Sequence, residues 1–338
     1  MKIILAPDSF KECLTAAQVA QAMALAVKEV YPSAEAISLP LADGGEGTLE
    51  ALAQALGARL FEATVSDPLG RPVRACYGVA GKTAVLEVAQ ACGLSLLRPE
   101  ERKPLIASSR GVGELLMAAY GKGCRRFLVG LGGSAICDGG AGMMTVPGIR
   151  DLADISLELL CDVDAPFVGP SGAARVFAPQ KGASPEDVEV LERRMLRLAE
   201  SMREETGVDV AHLPGAGAAG GLGGAFMAYF AAEKVSGIGR VLELVHFSKV
   251  IKGAALVITG EGKSDAQTLQ GKVPFGVLQN AKGTPVALLS GRIEDRAELE
   301  IAGFRPVVEV TPRNMPLREA LQPKTALENI RAAVKSLF

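Results

Sequence analysis

Short apolar runs that stop at charged, glycine-bearing loops limit what this chain can fold into more than any other feature. The clearest is Leu256-Val-Ile-Thr259, rich in β-branched residues, which stops at Gly260-Glu-Gly262 and is followed by Lys263, Asp265 and Lys272. Such a run reads as a buried parallel strand entering a loop, and a helical segment from Ala266 onward closes the unit. In open parallel sheets ligands sit beyond the carboxyl ends of the strands, where such loops lie. Three more polar loops have a similar make, Ala6–Lys11, Leu41–Gly47 and Gly130–Met143. Three of the four clearly follow strands, which predicts one composite polar site.

The order of elements sets the fold class. Lys2–Ala6 reads as a first strand, and Thr15 with Gln18 forms a capping box for a helix reaching Val30. Ala36–Leu39 reads as a second strand and Thr48 to about Leu56 as a second helix. The rhythm then changes: Arg59–Ser66, Val73–Val79 and Thr83–Val88 follow one another without helices, which indicates antiparallel pairing. Ser184 caps a long helix with Pro185 at its first position. Strands at Ala255–Thr259, Val286–Leu289 and Val307–Val310 then alternate with helices to the C-terminus. The predicted architecture is α/β: a Rossmann-like, five-stranded parallel-sheet domain (1–60 and 241–338) interrupted by a second, mixed-sheet α/β domain (61–240). Length favours two cores, and a site in the cleft between them is the expectation.

Composition removes several function classes. The net charge is −2, no long run of like charge occurs, and there is no Trp and only four Tyr. Neither nucleic acid nor an anionic membrane is an indicated partner. Six scattered Cys without a CxxC pair, behind an N-terminus with too short an apolar run for a signal peptide, indicate reduced thiols and a cytoplasmic protein. Leu213–Ala232 is uncharged but holds Pro214 and six Gly, and reads as a packed loop and helix.

With two His only, His212 and His246, a histidine metal cluster and a Ser-His-Asp hydrolase are both disfavoured. Asp, Glu, Lys and glycine-rich backbone turns are instead the kit of phosphoryl transfer. Gly262-Lys263-Ser264 is not a P-loop, because Val257 stands where the leading Gly belongs. Gly215-Ala-Gly-Ala-Ala-Gly220 matches the dinucleotide fingerprint in letters but lacks a convincing preceding strand. Each charged candidate also has an ordinary structural reading. Asp8 and Asp265 suit helix caps, Asp43 and Glu46 suit turns, and Lys11 suits a solvated surface. Ser134 and Asp138 suit internal bonds of their loop, Lys181 a surface turn, and Cys137 a small filler. Asp162 and Asp164 project to one face if extended, and suit either a metal or a strand end.

Several blocks then resemble one family: Ala6-Pro-Asp-Ser-Phe-Lys11, Pro40-Leu-Ala-Asp-Gly-Gly-Glu-Gly-Thr48, Gly130-Leu-Gly-Gly-Ser-Ala135 with Asp138-Gly-Gly-Ala-Gly-Met143, and Cys161-Asp-Val-Asp164. Pro179-Gln-Lys-Gly182, Pro214–Gly221 and Ile258-Thr-Gly-Glu-Gly262 with Asp265-Ala-Gln-Thr268 continue the set in the same order. Together they resemble the bacterial glycerate kinase type 1 family over nearly the full length. The resemblance implies ATP-dependent, Mg²⁺-assisted phosphorylation of D-glycerate, mostly at the 2-hydroxyl. On its motifs, Asp265 is the expected base, with Asp8 and Lys11 also catalytic. Ser9, Gly132, Gly133, Ser134, Asp138, Lys181, Gly260, Glu261 and Gly262 are expected to hold substrate or phosphate. Asp43 and Glu46, with Asp162 and Asp164 as further candidates, are expected at Mg²⁺. A homodimer stays open. Two departures accompany the resemblance: Met143–Asp162 is short for the family, and Ile136-Cys137 stands where a Thr-Asn pair is common. The alternatives are a 3-kinase, a kinase of a related small hydroxy acid, and a non-catalytic sugar-acid binding protein.

Overall fold

The computed structural model describes all 338 residues. The chain forms two compact units, one of Met1–Asp43, Glu50–Ala55 and Ile238–Phe338, the other of Gly44–Leu49 and Leu56–Gly237.

The first unit is built on a five-stranded sheet, Val307–Glu309, Val286–Ser290, Leu256–Thr259, Lys2–Leu5 and Glu35–Ser38 in spatial order. Every neighbouring pair is parallel. Numbered along the chain within the unit, that order is 2-1-3-4-5, a doubly wound sheet whose connections reverse between Lys2–Leu5 and Leu256–Thr259. Ile3, Leu5, Ile258, Ala287 and Leu289 are fully buried, as parallel strands covered on both faces require. The helix Ala16–Val30 forms because Thr15 and Gln18 close a capping box ahead of an alanine-rich run. It buries Val19, Met23 and Val27 in one core with Ile330 and Val334 of the helix Pro323–Lys335. Fully burying each large aliphatic side chain stabilises by roughly 1.5–3 kcal/mol. A parallel bridge of Lys263–Ser264 to Arg292–Ile293 lies beyond the sheet, and no hydrophobic pattern announces it.

The second unit carries a six-stranded mixed sheet: Arg59–Ser66, Pro72–Ala80, Thr83–Glu87, Arg126–Gly130, Ser156–Leu160 and Glu233–Val235 in spatial order. The first two pairings are antiparallel and the remaining three parallel. Its core collects Tyr77, Leu86, Leu115, Phe127, Val129, Phe167, Met195 and Phe226. The long helix is Pro185–Thr206, capped by Ser184 and Asp187 in a reciprocal box. Gly215–Gly220 proves to be a run of turns before the helix Leu222–Phe230, with no strand leading into it. Its glycines serve packing: a Cβ on Gly220 would lie 2.1 Å from the Ile136 carbonyl oxygen. No helix is long and apolar enough to cross a membrane.

Gly260 fixes the sheet of the first unit. A Cβ there would stand 1.7 Å from the carbonyl oxygen of Leu289 on the neighbouring strand. Gly260→Ala is therefore expected to lower stability by about 1–3 kcal/mol or more through overpacking. Urea unfolding measures this, and a wild-type midpoint would show that the two strand ends can part without cost.

Candidate active site

Polar groups gather at the reversal point of the first unit's sheet. The strand Lys2–Leu5 runs into Ala6-Pro-Asp-Ser9, and Leu256–Thr259 into Gly260-Glu-Gly262. The Asp8 N–H donates to the Gly260 carbonyl over 2.9 Å, which ties the two loops together. The Thr259 hydroxyl donates to the Ala6 carbonyl over 2.7 Å, so the last strand residue is locked as well. Asp8 and Ser9 are only 6% and 7% exposed. Asp8 Oδ1 accepts its neighbour's N–H from Ser9 at 2.7 Å, and the Ser9 hydroxyl has no partner at all. A buried hydroxyl without a partner leaves a desolvation cost of about 1–3 kcal/mol for something to relieve.

Glu261 anchors the other side of this locus. Its Oε1 accepts from the Ser264 hydroxyl at 3.0 Å and the Thr268 hydroxyl at 2.6 Å, while Oε2 lies 3.4 Å from Lys272 Nζ. Ser290 Oγ is 2.7 Å from Ser264 Oγ and extends the network to the next strand. Burial pushes the Glu261 carboxyl up, against the pull of Lys272 and the two hydroxyls. Burial also pushes Asp8 well above the usual carboxylate range, helped by the charges of Asp43 and Glu261 and opposed by the Ser9 N–H and Lys11. Lys11 itself is exposed, with Gly262 running alongside Phe10 and Lys11. Ser264, Thr268, Ser290 and Lys272 were not singled out by sequence reasoning. The signal was faint: hydroxyls three and seven residues beyond Glu261.

Asp265 is engaged differently. It caps the turn Ala266–Gln270, its Oδ1 accepting the Gln267 N–H at 2.9 Å while Thr268 Oγ1 takes the Asp265 N–H at 3.1 Å. Its other oxygen faces Lys263 at 3.5 Å. The capping role weighed from sequence is thus the one visible in the structure.

The second unit carries polar groups of its own. The strand Arg126–Gly130 leads into Leu131-Gly-Gly-Ser-Ala-Ile-Cys-Asp138. Gly132 passes so close to Gly45 that a Cβ would stand 2.4 Å from the Gly45 Cα, and its N–H donates to the Gly44 carbonyl at 2.9 Å. The loop is zipped to a second segment by Leu94 N–H to Gly133 O, 2.9 Å, and Ala135 N–H to Cys92 O, 2.7 Å. Asp138 is an internal brace, accepting from the Ser109 N–H and hydroxyl at 2.7 and 2.9 Å and from the Gly140 and Gly142 N–H groups at 3.2 and 3.0 Å. Lys181 lies in a short helical turn and is 3% exposed, not a surface residue. Its ammonium donates to Ser134 Oγ at 3.0 Å and to the Ile136 carbonyl at 2.7 Å. Glu87, also missed, is 2% exposed and accepts the Leu49 N–H at 3.1 Å.

The metal candidates fall in different surroundings. Asp43 is half-buried and lies near enough to Asp8 to raise it, whereas Glu46 is exposed. Asp162 accepts the Gly237 N–H at 3.1 Å, and Asp164 is an exposed partner of Lys234. No three such side chains converge on a metal-sized point. Mg²⁺ keeps several waters and is commonly held through one or two carboxylates plus substrate phosphates. Asp43 and Asp8 offer oxygen donors, the kind Mg²⁺ takes, with Lys11 as a nearby positive charge.

A chain with a half-satisfied Asp-Ser pair at the reversal point of a doubly wound sheet, and with a glycine loop bonded by a buried ammonium, has the parts of a phosphoryl-transfer enzyme. The sequence model described as the glycerate kinase family matches residues 3–151 and 148–338, two pieces that meet within the segment read as short. The glycerate kinase of Bacillus subtilis strain 168 is 41% identical over 95% of this chain and 93% of its own length. The glycerate 2-kinase of Escherichia coli K12 is 42% identical over 87% of this chain and 86% of its own. A crystal structure from Salmonella typhimurium LT2, assigned provisionally as glycerate kinase 2, superposes with a TM-score of 0.84 at 39% identity, covering 100% of this chain and 97% of that one. The chain is a kinase. It belongs to the glycerate kinase family.

Burial sets a pH response beside the second locus. It pushes the Cys92 thiol up to about 12 and the Cys137 thiol up to about 11, while Lys181 is moved down by the same cause. In the unfolded chain both thiols ionise at an ordinary value near 9. Their contribution to stability is therefore full below about pH 9 and is lost as pH rises toward 11–12. Lys181 acts in the opposite sense, since the fold disfavours its charged form. Melting temperature measured from pH 8 upward should fall more steeply for the wild type than for C92A/C137A, which keeps Lys181. Equal slopes would show that neither thiol is held protonated by the fold.

Proposed function

We propose that this protein transfers the γ-phosphoryl group of ATP to the 2-hydroxyl of D-glycerate, giving 2-phosphoglycerate. The observation that carries the chemistry is the Asp8–Ser9 pair at the reversal point of the first sheet: a buried carboxylate bonded only by its neighbour's N–H, beside a buried hydroxyl with no partner. Asp8 is placed to receive the proton of the attacking hydroxyl, and Ser9 Oγ to donate to an oxygen of the substrate. Asp265, expected as the base from its motif, has its carboxylate engaged in the cap and with Lys263. Glu261, braced by Ser264, Thr268 and Lys272, orients the loop that Asp8 grips through Gly260. Lys11, exposed at the rim, supplies positive charge to phosphate. Asp43, with Glu46, would hold Mg²⁺, which when bound neutralises phosphate charge. The loop Gly132–Asp138 is assigned to an anionic group of substrate or nucleotide. The 42% identity to a named glycerate 2-kinase supports the 2-hydroxyl as acceptor. A cytoplasmic location is supported by six free cysteines.

The test is a coupled assay of ADP release with MgATP and D-glycerate, with L-glycerate as control and phosphorus NMR of the product. ADP release that depends on D-glycerate, with 2-phosphoglycerate formed, is the expected result. A 3-phosphoglycerate product would move the acceptor, and tight glycerate binding without turnover would leave a binding protein. Within that assay Asp8→Asn should lower kcat by a factor on the order of 10² or more, the usual worth of a positioned base. Asp265→Asn should leave kcat near the wild-type value, because Asn caps nearly as well as Asp. The reverse ranking would return the base to Asp265.

A further inference from the structure

Lys181 is the most deeply buried cation of the second unit, and its surroundings do not neutralise it. It is 3% exposed, and no carboxylate stands within ion-pair distance of its ammonium. Its only acceptors are a hydroxyl, Ser134 Oγ, and a carbonyl, Ile136 O. Cys92, Cys137 and Asp138 are the titratable groups that face it. Both thiols are kept protonated by burial, and both Asp138 oxygens already take donors from Ser109, Gly140 and Gly142. Holding such a charge away from water is expensive unless it is paired or brings function.

What the ammonium does locally is specific. By donating to Ser134 Oγ it leaves the Ser134 hydroxyl proton to point elsewhere, as a donor polarised by the bond its oxygen accepts. By donating to the Ile136 carbonyl it fixes the far end of the same loop, where Gly220 leaves room that a Cβ would fill. The N–H groups of Gly133 and Ser134 meet no acceptor within the protein. Two amide donors without acceptors and one hydroxyl bonded by an ammonium, on consecutive residues of a glycine loop, are the donor set of an anion-binding nest.

We propose that Lys181 is a positioning residue for an anionic-oxygen subsite formed by Gly133 and Ser134, acting on the bound group through Ser134 and the Ile136 carbonyl without touching it. The group is a phosphate of the nucleotide or the carboxylate of glycerate, which share this chemistry. The proposal rests on the kinase reading above only in naming those two sources.

The experiment compares wild type, Lys181→Met, Ser134→Ala and the double variant for kcat and for the KM of MgATP and of D-glycerate. Calorimetric titration of the same proteins with MgADP and with D-glycerate is run in parallel, so that binding is read without turnover. Lys181→Met, with a wild-type circular dichroism spectrum, should raise one of the two KM values and the matching dissociation constant by about ten-fold or more, with kcat changed much less, the worth of a charge-assisted hydrogen bond. Which ligand weakens identifies the anion. Ser134→Ala should weaken the same ligand, and the double variant should be no worse than Lys181→Met alone, because both changes interrupt one path. Unchanged constants in folded Lys181→Met, or losses that multiply in the double variant, would overturn the proposal. Should Lys181→Met not fold, Ser134→Ala decides, and unchanged binding of both ligands would overturn it equally. A wild type that binds either ligand but does not turn over would defeat the kinase reading while leaving this comparison intact.

Discussion

The first unit depends on a close passage of backbone at Gly260. The strand Leu256–Thr259 is held between two parallel neighbours, and its exit must pass the Leu289 carbonyl with no room for a side chain. Because it passes there, the Gly260 carbonyl can receive the Asp8 N–H, and Asp8 is presented at the point where the sheet's connections reverse. Glu261 follows immediately and is held by hydroxyls three and seven residues further on. The position of two buried carboxylates thus traces back to one missing methyl group.

Burying carboxylates together is unfavourable, and the fold meets that cost by different means at the two residues. Glu261 is given Lys272 and two hydroxyl donors, which lower its carboxyl against the effect of burial. Asp8 is given one N–H and the charge of Lys11, while Asp43 and Glu261 push it the other way. The difference is one of satisfaction: Glu261 is met within the protein, and Asp8 is left short of partners. Asp138 and Asp265 belong with the satisfied group, since their oxygens are taken by backbone amides and neighbouring charges.

Much of the frame was legible in the sequence. The capping box at Thr15, the cap at Ser184 and the antiparallel run from Arg59 announce themselves through local chemistry, and the structure forms them where the residues say. What escaped was set by tertiary context. Glu233–Val235 is three residues with a charged start, and becomes a strand only because Ser156–Leu160 offers an open edge. Lys181, between Gln and Gly, reads as a solvated turn, because nothing local shows that the loop of Ser134 and Ile136 will close over it. Ser264 and Ser290 lie far apart in the chain, so their shared bond near Glu261 has no sequence signature. The loops that carry the polar groups were visible, but not which member of each loop is satisfied.

That last distinction is physical and not a matter of motif. In the loop Ala6–Lys11 the informative residues are those the protein fails to satisfy, Ser9 above all. Against the loop Leu131–Asp138 the informative residue is one it satisfies only with dipoles, Lys181, whose ammonium meets a hydroxyl and a carbonyl but no carboxylate. A carboxylate short of donors can accept a proton, and an ammonium short of an anion can hold a neighbouring anion through the dipoles it polarises. Phosphoryl transfer asks for both: acceptance of a proton from the attacking hydroxyl, and stabilisation of anionic oxygens. Two loci with opposite deficits in one chain supply both halves of that requirement, which neither supplies alone.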